Sequence, residues 1–441
     1  MSAPPGAVTA SADAERLRGP VVTGLVGKAA EMVTLLLLAT VVPRVLGPAD
    51  YGRFAVALTV VAIGSVAMTL GGATLLARYV PAATPDERGA LARALSVRLA
   101  RNRAVLFAVL TVIATVLVTW DPARFPPLLT VFVLTALALN VAATLALQAD
   151  LGLGRAGAWC ARYPVQNAVL VVVAIVLYDA AGTTGAVAAI VVSAAVAFGL
   201  GVVAVTPLLR RRLPPVAVPE GALRFGLFQA SSGALVQVAQ RGGVIAVALL
   251  AASSVQTGFA ALAIGVTLAA TYAIVQVFTV SLPRLAERRG GLTGAESSLR
   301  RLAGGLLAVV VPVAAGTVLA IDAAVPIVFG AGYAGAAGAF GPALAMVVLA
   351  PVNALVVQAA ALRLRPEATL YAALAGALGF TGAAVLAVPA WGAAGATGAA
   401  LAGAAAYSML AIRLLPGAVG VRLTVASLGG ATAILLLGVI T

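Results

Sequence analysis

Apolar side chains dominate the pattern of this sequence, in runs separated by short polar segments. A helix needs roughly 20 apolar residues to cross the hydrocarbon core of a membrane. Only helices and closed barrels satisfy all backbone polar groups there, and these runs are too long and continuous for barrel strands. They therefore predict an all-α integral membrane protein with about 13 transmembrane helices. The runs cover residues 21–45, 54–80, 104–120, 127–149, 160–178, 182–208, 222–250, 255–282, 304–321, 340–362, 368–388, 391–412 and 423–440.

Composition narrows the chemistry that such a chain can perform. Hydrophobic residues make up 62% of the chain and charged residues only 10%, against roughly 25% charged residues in soluble domains. The chain has no histidine and one cysteine, Cys160, which excludes an internal disulfide, a His/Cys metal site and a Ser–His or Cys–His catalytic pair. The single lysine, Lys28, lies in GLVGKAA, which lacks the first glycine and the Ser or Thr of a phosphate-binding loop. We therefore expect no cofactor, no ATPase site and no enzymatic activity.

The net charge of +14 is distributed as a topology signal rather than as a nucleic-acid surface. Arginines concentrate in every second connection, and such an excess over short loops marks the cytoplasmic side. We therefore expect a cytoplasmic N-terminus, an external C-terminus and no nucleic-acid partner. The arginine-rich connections include the long segments 81–103 and 283–303 and the connection with Arg155 and Arg162, whereas the opposite set contains only Arg44, Arg53 and Arg124.

The chain also repeats itself weakly. The segment YGRFAVAL begins at Tyr51 and TGFAALAI at Thr257, and the Gln148–Arg155 spacing recurs as Gln358–Arg365. Six predicted spans separate equivalent positions, so the two halves have the same orientation and form a parallel repeat. The predicted organisation is a cytoplasmic tail (1–20), a six-helix half (21–208), a basic cytoplasmic linker (209–221), a second six-helix half (222–412) and an extra C-terminal helix (413–441).

Polar side chains inside the predicted spans are the candidate functional residues, because charges in a membrane are costly. The cations Lys28 and Arg241 lie in the first helix of each half, where they could line a substrate cavity and hold an anionic group. Glu31 would then orient Lys28 or take up a proton. The alternative is structural: a Lys28–Glu31 ion pair, a snorkelling Arg241 and amides that only pack helices. The candidates are Lys28 and Glu31, on one face with Gly24 and Thr34; Gln229, Gln237, Gln240 and Arg241, around Gly233; and Asn140 and Asn353 in the fourth and tenth spans.

The segment PRVLGPADYGRF (43–54), followed by an apolar span that ends in LLARYVP, resembles the opening of bacterial polysaccharide-biosynthesis flippases. These proteins belong to the multidrug/oligosaccharidyl-lipid/polysaccharide exporter superfamily. The later VPIVFGAGYAGAAGAF (325–340) resembles their short outer segment before the tenth span. The resemblance implies a V-shaped bundle of two six-helix halves with a central cavity. It also implies that basic cavity residues hold a lipid-linked diphosphate, a role that suits Lys28 and Arg241 by position.

Two departures from that family pattern affect the expected mechanism. Many relatives carry an acidic residue near the middle of the seventh span, where this chain has Gln240–Arg241, so cation coupling through that helix is not expected. Relatives also show 12 or 14 spans rather than 13.

The leading hypothesis is a flippase that moves a lipid-diphosphate-linked oligosaccharide from the cytoplasmic to the outer leaflet of the bacterial cytoplasmic membrane. The expected partners are this lipid, the bilayer and a polysaccharide polymerase or glycosyltransferases, and the expected state is a monomer. One alternative is a proton- or sodium-coupled multidrug exporter of the same fold, which would need more acidic residues in its cavity. Another is a non-transporting membrane scaffold for polysaccharide enzymes.

Overall fold

The computed structural model describes residues 7–69, 71–211, 213–251, 253–286, 291–363 and 365–440. The side chains of residues 7–25, 73, 74, 77, 225, 229, 279–286 and 291–293 lie outside this description. Within the described ranges the chain forms eleven α-helices and one short 3₁₀ helix (Ala331–Ala336). The α-helices are α1 (Ala7–Met68), α2 (Gly72–Ala82), α3 (Arg88–Trp120), α4 (Pro127–Gly152), α5 (Gly157–Leu209), α6 (Ala222–Leu250), α7 (Ser254–Ala286), α8 (Gly291–Phe329), α9 (Ala337–Leu362), α10 (Pro366–Leu414) and α11 (Val421–Ile440).

Ten of the described helices are long and apolar enough to cross a membrane. The exception is α2, which has 11 residues and would span about 16 Å at the rise of an α-helix. The prediction of an all-helical, multi-pass membrane protein is therefore confirmed.

Three of the helices are interrupted by a glycine. The interrupting residues are Gly47 in α1, Gly182 in α5 and Gly392 in α10, all with positive φ. Helix α5 has 53 residues, which would extend about 80 Å if straight, whereas a hydrocarbon core is about 30 Å thick. Each interruption falls within two residues of the boundary between two of the apolar runs, so α5 and α10 each carry two runs and α1 carries one run and the first part of the next.

The interruptions in α5 and α10 share one geometry, 210 residues apart. Three residues after Gly182, a Cβ on Gly185 would collide with the carbonyl oxygen of Leu177. Three residues after Gly392, a Cβ on Gly395 would collide with the carbonyl oxygen of Ala387. In both helices the chain therefore reverses so tightly that only a glycine fits beside the preceding turn.

Three segments differ from the sequence-based prediction. The run 54–80 does not form one helix, because α1 ends at Met68 and α2 begins at Gly72. The intervening Gly71 has φ 69°, and a Cβ there would collide with the carbonyl oxygen of Gly226, so close backbone packing breaks the run. The segments predicted as long basic loops, 81–103 and 283–303, are largely helical, since α3 begins at Arg88 and α8 at Gly291. Arginine is a good helix former, so charge marks where the apolar segment ends but not where the helix ends.

The described chain divides into two compact units, each made of separate segments. Unit 1 comprises residues 1–38, 71–173 and 189–226, and unit 2 comprises residues 39–70, 174–188 and 227–441. The core of unit 1 includes the buried side chains of Leu76, Leu95 and Leu208. In unit 2 the nearly fully buried helix α9 packs against α7, α8, α10 and α11.

Candidate functional site

Arg162 is the largest fully buried side chain in the described part of the chain, with 1% of its surface exposed. Its Nη2 donates a hydrogen bond of 2.6 Å to Oδ1 of Asn140, and its guanidinium carbon lies 4.7 Å from the ring centroid of Tyr163. Its Nε and Nη1 have no hydrogen-bond partner among the described residues, and no described carboxylate forms an ion pair with it. A buried cation without a counter-ion is costly, so this position suits an anionic ligand.

The arginine pattern assigned Arg162 to a cytoplasmic connection, although the apolar run 160–178 also included it, and the structure places it inside a helix. The residue lies in the second turn of α5, which begins at Gly157. Its contact with Asn140 on α4 spans 22 residues of sequence. Hydropathy could not reveal this contact, because Arg162 stands at the edge of an apolar run, where a cation usually marks the membrane surface. The only local signal was Gln166, four residues later on the same helix face.

Lys28 and Glu31 of α1 form an ion pair, with 2.7 Å between Lys28 Nζ and Glu31 Oε2. Lys28 Nζ also lies 6.0 Å from the ring centroid of Tyr163, so this ring has a cation from each of two helices beside it. The close approach of α1 and α5 depends on Gly27, where a Cβ would lie 2.9 Å from both the Cβ and the carbonyl oxygen of Cys160.

Amides and a hydroxyl complete this part of unit 1. Gln166 Nε2 donates to Asn140 Oδ1 at 3.4 Å, and its Oε1 is buried without a hydrogen-bond partner among the described residues. Asn167 Nδ2 donates to Thr34 Oγ1, also at 3.4 Å. We name the whole group the N-terminal polar cluster; it comprises Lys28, Glu31, Thr34, Asn140, Arg162, Tyr163, Gln166 and Asn167.

Arg241 of α6 has a different environment, within unit 2. Its Nε donates to Gln237 Oε1 at 2.8 Å, and its Nη2 donates to the Tyr272 hydroxyl at 3.1 Å. Gln237 Nε2 donates to the same hydroxyl at 3.2 Å. Neutral hydrogen-bond acceptors therefore surround this guanidinium, and no described carboxylate pairs with it.

The other candidates of unit 2 line a cavity of about 250 Å³. Its lining residues include Gln237 and Gln240 of α6, Tyr272 of α7 and Asn353 of α9. The Oδ1 of Asn353 accepts a hydrogen bond of 2.5 Å from Ser408 Oγ. The lining is mostly apolar, and none of its described side chains is charged. Gln229 lies in α6, but its side chain is outside the described residues.

The candidate residues thus fall into two sites, each within one unit. Unit 1 contains Lys28, Glu31 and Asn140, and unit 2 contains Gln237, Gln240, Arg241 and Asn353. Arg162, Tyr163, Gln166 and Asn167 are the residues that sequence reasoning missed.

The motif residues behind the resemblance form a packing centre in unit 2. The Tyr333 hydroxyl donates to the carbonyl oxygen of Pro43 at 2.9 Å. The ring centroid of Tyr333 lies 6.4 Å from that of Tyr51 and 6.2 Å from that of Phe259. A Cβ on Gly52 would collide with the carbonyl oxygen of Ser254, and one on Gly258 with that of Pro48. These glycines belong to the two repeated segments YGRF and TGFA, so their recurrence is explained by mutual close packing.

Comparisons with known proteins agree on the fold. The family described as "Polysaccharide biosynthesis protein" matches residues 41–337. No curated protein sequence matches the chain with significance. Among solved structures, the lipid II flippase MurJ in an inward closed conformation is similar with a TM-score of 0.69 at 9% identity, covering 95% of this chain and 96% of that one.

Two transporter structures are also similar. A multidrug/oligosaccharidyl-lipid/polysaccharide (MOP) superfamily transporter from Pyrococcus furiosus, described as having a binding pocket of reverse polarity, has a TM-score of 0.58 at 14% identity and covers 94% of both chains. The Vibrio cholerae MATE transporter VcmN has a TM-score of 0.56 at 14% identity, covering 98% of this chain and 97% of that one. Nearly all of the chain shares the fold of these transporters, and with two thirds of its length matched by the family model it belongs to the polysaccharide biosynthesis protein family.

Proposed function

We propose that this protein is a flippase that moves a lipid-diphosphate-linked oligosaccharide from the cytoplasmic to the outer leaflet of the bacterial cytoplasmic membrane. The observation that carries the proposal is Arg162, a fully buried guanidinium with two unpartnered donor nitrogens and no described ion-pair partner. Family membership supports the link to polysaccharide synthesis. The named activity of MurJ, a lipid II flippase of the same fold, supports the reaction class.

The charge balance of the N-terminal polar cluster favours a diphosphate. The cluster contains two cations, Lys28 and Arg162, and one carboxylate, Glu31, which already pairs with Lys28. A guanidinium can donate two parallel hydrogen bonds to phosphate oxygens, whereas an ammonium acts as a point charge. A bound diphosphate would supply the counter-charge that Arg162 lacks, and Lys28 would hold its other end. We propose Arg241 as a second contact for the substrate. Its hydrogen bonds to Gln237 and Tyr272 go to neutral acceptors, so an anionic group could replace them.

Transport from the cytoplasmic to the outer leaflet depends on the number of membrane spans and on the side of the membrane at which each connection lies. Dividing α1, α5 and α10 at their glycine interruptions gives 13 span-length segments, and the shared geometry 210 residues apart supports two parallel repeats. With the arginine-rich connections inside, the N-terminus is cytoplasmic and the C-terminus external. One chain carries both repeats, so a monomer suffices.

The multidrug-exporter alternative shares the fold, and the VcmN likeness alone cannot separate the two functions. Charge favours the flippase. Exporters of organic cations bind them through carboxylates. The described lining of the cavity in unit 2 contains no acidic residue, and the cluster of unit 1 has a net positive charge. A non-transporting scaffold has no use for a buried guanidinium, whose isolation costs stability.

The test uses purified full-length protein in liposomes with a fluorescent polyprenyl-diphosphate oligosaccharide, whose leaflet is read by an impermeant quencher. We expect Arg162→Gln and Lys28→Gln to slow translocation at least tenfold, since each removes a charge-assisted contact to phosphate worth about 1.5–3 kcal/mol. The matched control is Arg422→Gln, which removes an exposed arginine of α11. Wild-type rates in both cluster variants, or equal transport of a lipid without the diphosphate, would refute the proposal.

A further inference from the structure

A basic groove lies on unit 1 and shares no lining residue with the N-terminal polar cluster. It has a volume of about 540 Å³ and is formed by the first four turns of α3 and the linker between α5 and α6. Among the described residues, the charged side chains that line it are Arg93, Arg98 and Arg101. We propose that this groove binds the headgroup of an anionic phospholipid from the surrounding bilayer, as a site separate from the transported substrate.

The wall of the groove is preformed. Leu213, Val216 and Val218 of the linker line it and also pack against the buried core of unit 1 that includes Leu91 and Leu95. The linker is joined to α3 by a long hydrogen bond of 3.5 Å from Arg93 Nη1 to the carbonyl oxygen of Arg211. Because the core already orders these apolar residues, a ligand would find the groove shaped before it binds.

One face of α3 is basic at its start and apolar further along, which matches the charged headgroup and the acyl chains of a phospholipid. Spacings of three or four residues place successive side chains on the same helix face. This face begins with guanidinium groups and continues as exposed valines, with 62% exposure at Val105 and 63% at Val112. A phosphate at the arginines would leave the acyl chains along the valines. The residues of the face are Arg98, Arg101, Val105, Val109, Val112 and Val116.

Charge and shape together select an anionic lipid over other ligands. None of the described lining residues is a carboxylate that could attract the choline of a zwitterionic headgroup. A free phosphate would satisfy the arginines but leave the adjoining apolar face uncovered. Basic pockets at the membrane surface bind anionic headgroups, and each arginine near an anionic surface contributes about a fivefold increase in affinity.

Native mass spectrometry of the purified full-length protein tests this proposal. The probes are cardiolipin, phosphatidylglycerol and phosphatidylcholine. We expect wild type to retain the two anionic lipids over phosphatidylcholine, and Arg93→Gln/Arg98→Gln/Arg101→Gln to lose this preference at least tenfold. The control Arg301→Gln/Arg413→Gln/Arg422→Gln removes the same charge from exposed positions of α8, α10 and α11 and should bind as wild type does.

Three outcomes decide the matter. Equal loss in the two triple variants would mean that total charge, not the groove, attracts the lipid. Displacement of the lipid by millimolar pyrophosphate would reassign the groove to a soluble anion. Recovery of lipid binding in a triple Arg→Lys variant, with an unchanged melting temperature, would support the groove. If the triple glutamine variant does not fold, we expect Arg98→Gln alone to weaken lipid binding severalfold.

Discussion

At the scale of single residues, Arg162 shows how a binding site can differ from a stabilising contact. Most buried charges in proteins are paired, because an unpaired one loses hydration without compensation. Arg162 has Asn140 and the ring of Tyr163 as its neutral partners. Its desolvation is therefore only partly offset until an anion binds.

This imbalance predicts that Arg162→Met makes the ligand-free protein more stable while removing diphosphate binding. Replacing buried charges by apolar residues of similar size often stabilises a protein, and we expect a gain of about 1 kcal/mol or more in the free energy of unfolding. Thermal unfolding of the purified protein, with and without a polyprenyl diphosphate, measures both effects. A lower melting temperature without ligand would show that Arg162 is a structural residue.

Gly392 is the second residue whose role can be tested alone. It has φ 53°, and a Cβ there would lie 2.6 Å from Gln256 Oε1, the atom that accepts a hydrogen bond from the Ala393 backbone N–H. We expect Gly392→Ala to lower the free energy of unfolding by about 1–3 kcal/mol through the strained backbone. Gly398→Ala in the same helix meets open space and should raise it by up to about 1 kcal/mol. Equal melting temperatures of the two variants would contradict this assignment.

At the scale of helices, unit 2 is held at one end by an ion pair that connects three elements. Arg363, which follows α9, donates from Nε and Nη2 to both carboxylate oxygens of Glu296 in α8, at 2.6 and 2.9 Å. Its Nη1 donates to the carbonyl oxygen of Pro416, beyond the end of α10, at 3.0 Å. The Glu296 carboxylate raises the pKa of Arg363, as expected for a guanidinium with a bidentate partner.

We expect Glu296→Gln to lower the free energy of unfolding by about 1–3 kcal/mol, because it leaves the partly buried Arg363 without its counter-charge. The control is Glu367→Gln, which breaks the exposed pair with Arg365 and should cost no more than about 0.5 kcal/mol. Chemical or thermal unfolding in detergent measures the free energy of unfolding of both variants. Similar decreases in the two variants would mean that the bidentate geometry adds no stability.

How far the sequence predicts such features depends on their range along the chain. The apolar runs predict the spanning helices, and the i, i+3 spacing predicts that Lys28 can reach Glu31. Neither pattern reveals the Arg162–Asn140 contact, which depends on how α4 and α5 pack. Helix-forming arginines extended α3 and α8 into segments that charge alone had marked as loops. The close packing at Gly71 likewise depends on a distant backbone, that of Gly226.

At the scale of the whole molecule, the uneven distribution of arginine predicts the orientation in the membrane. In a Cys160→Ala background, Ala123→Cys lies in an exposed turn between α3 and α4, and Ala217→Cys lies in the exposed linker between α5 and α6. We expect an impermeant thiol reagent added to intact cells to label position 123 and not position 217. Labelling of position 217 alone would invert the proposed topology and the direction of transport.

The tight reversals within α5 and α10 also constrain how the protein is made. At Gly182 the chain turns back so closely that Gly185 packs against the Leu177 backbone, and only three residues, 179–181, separate the two apolar runs. During synthesis, the first run has no hydrophilic segment after it that could rest in water while the second emerges from the ribosome. The insertion machinery must therefore accept such a pair as one hairpin. A chain cut between the two runs would release a single apolar helix without its partner, a ready substrate for membrane quality-control proteases.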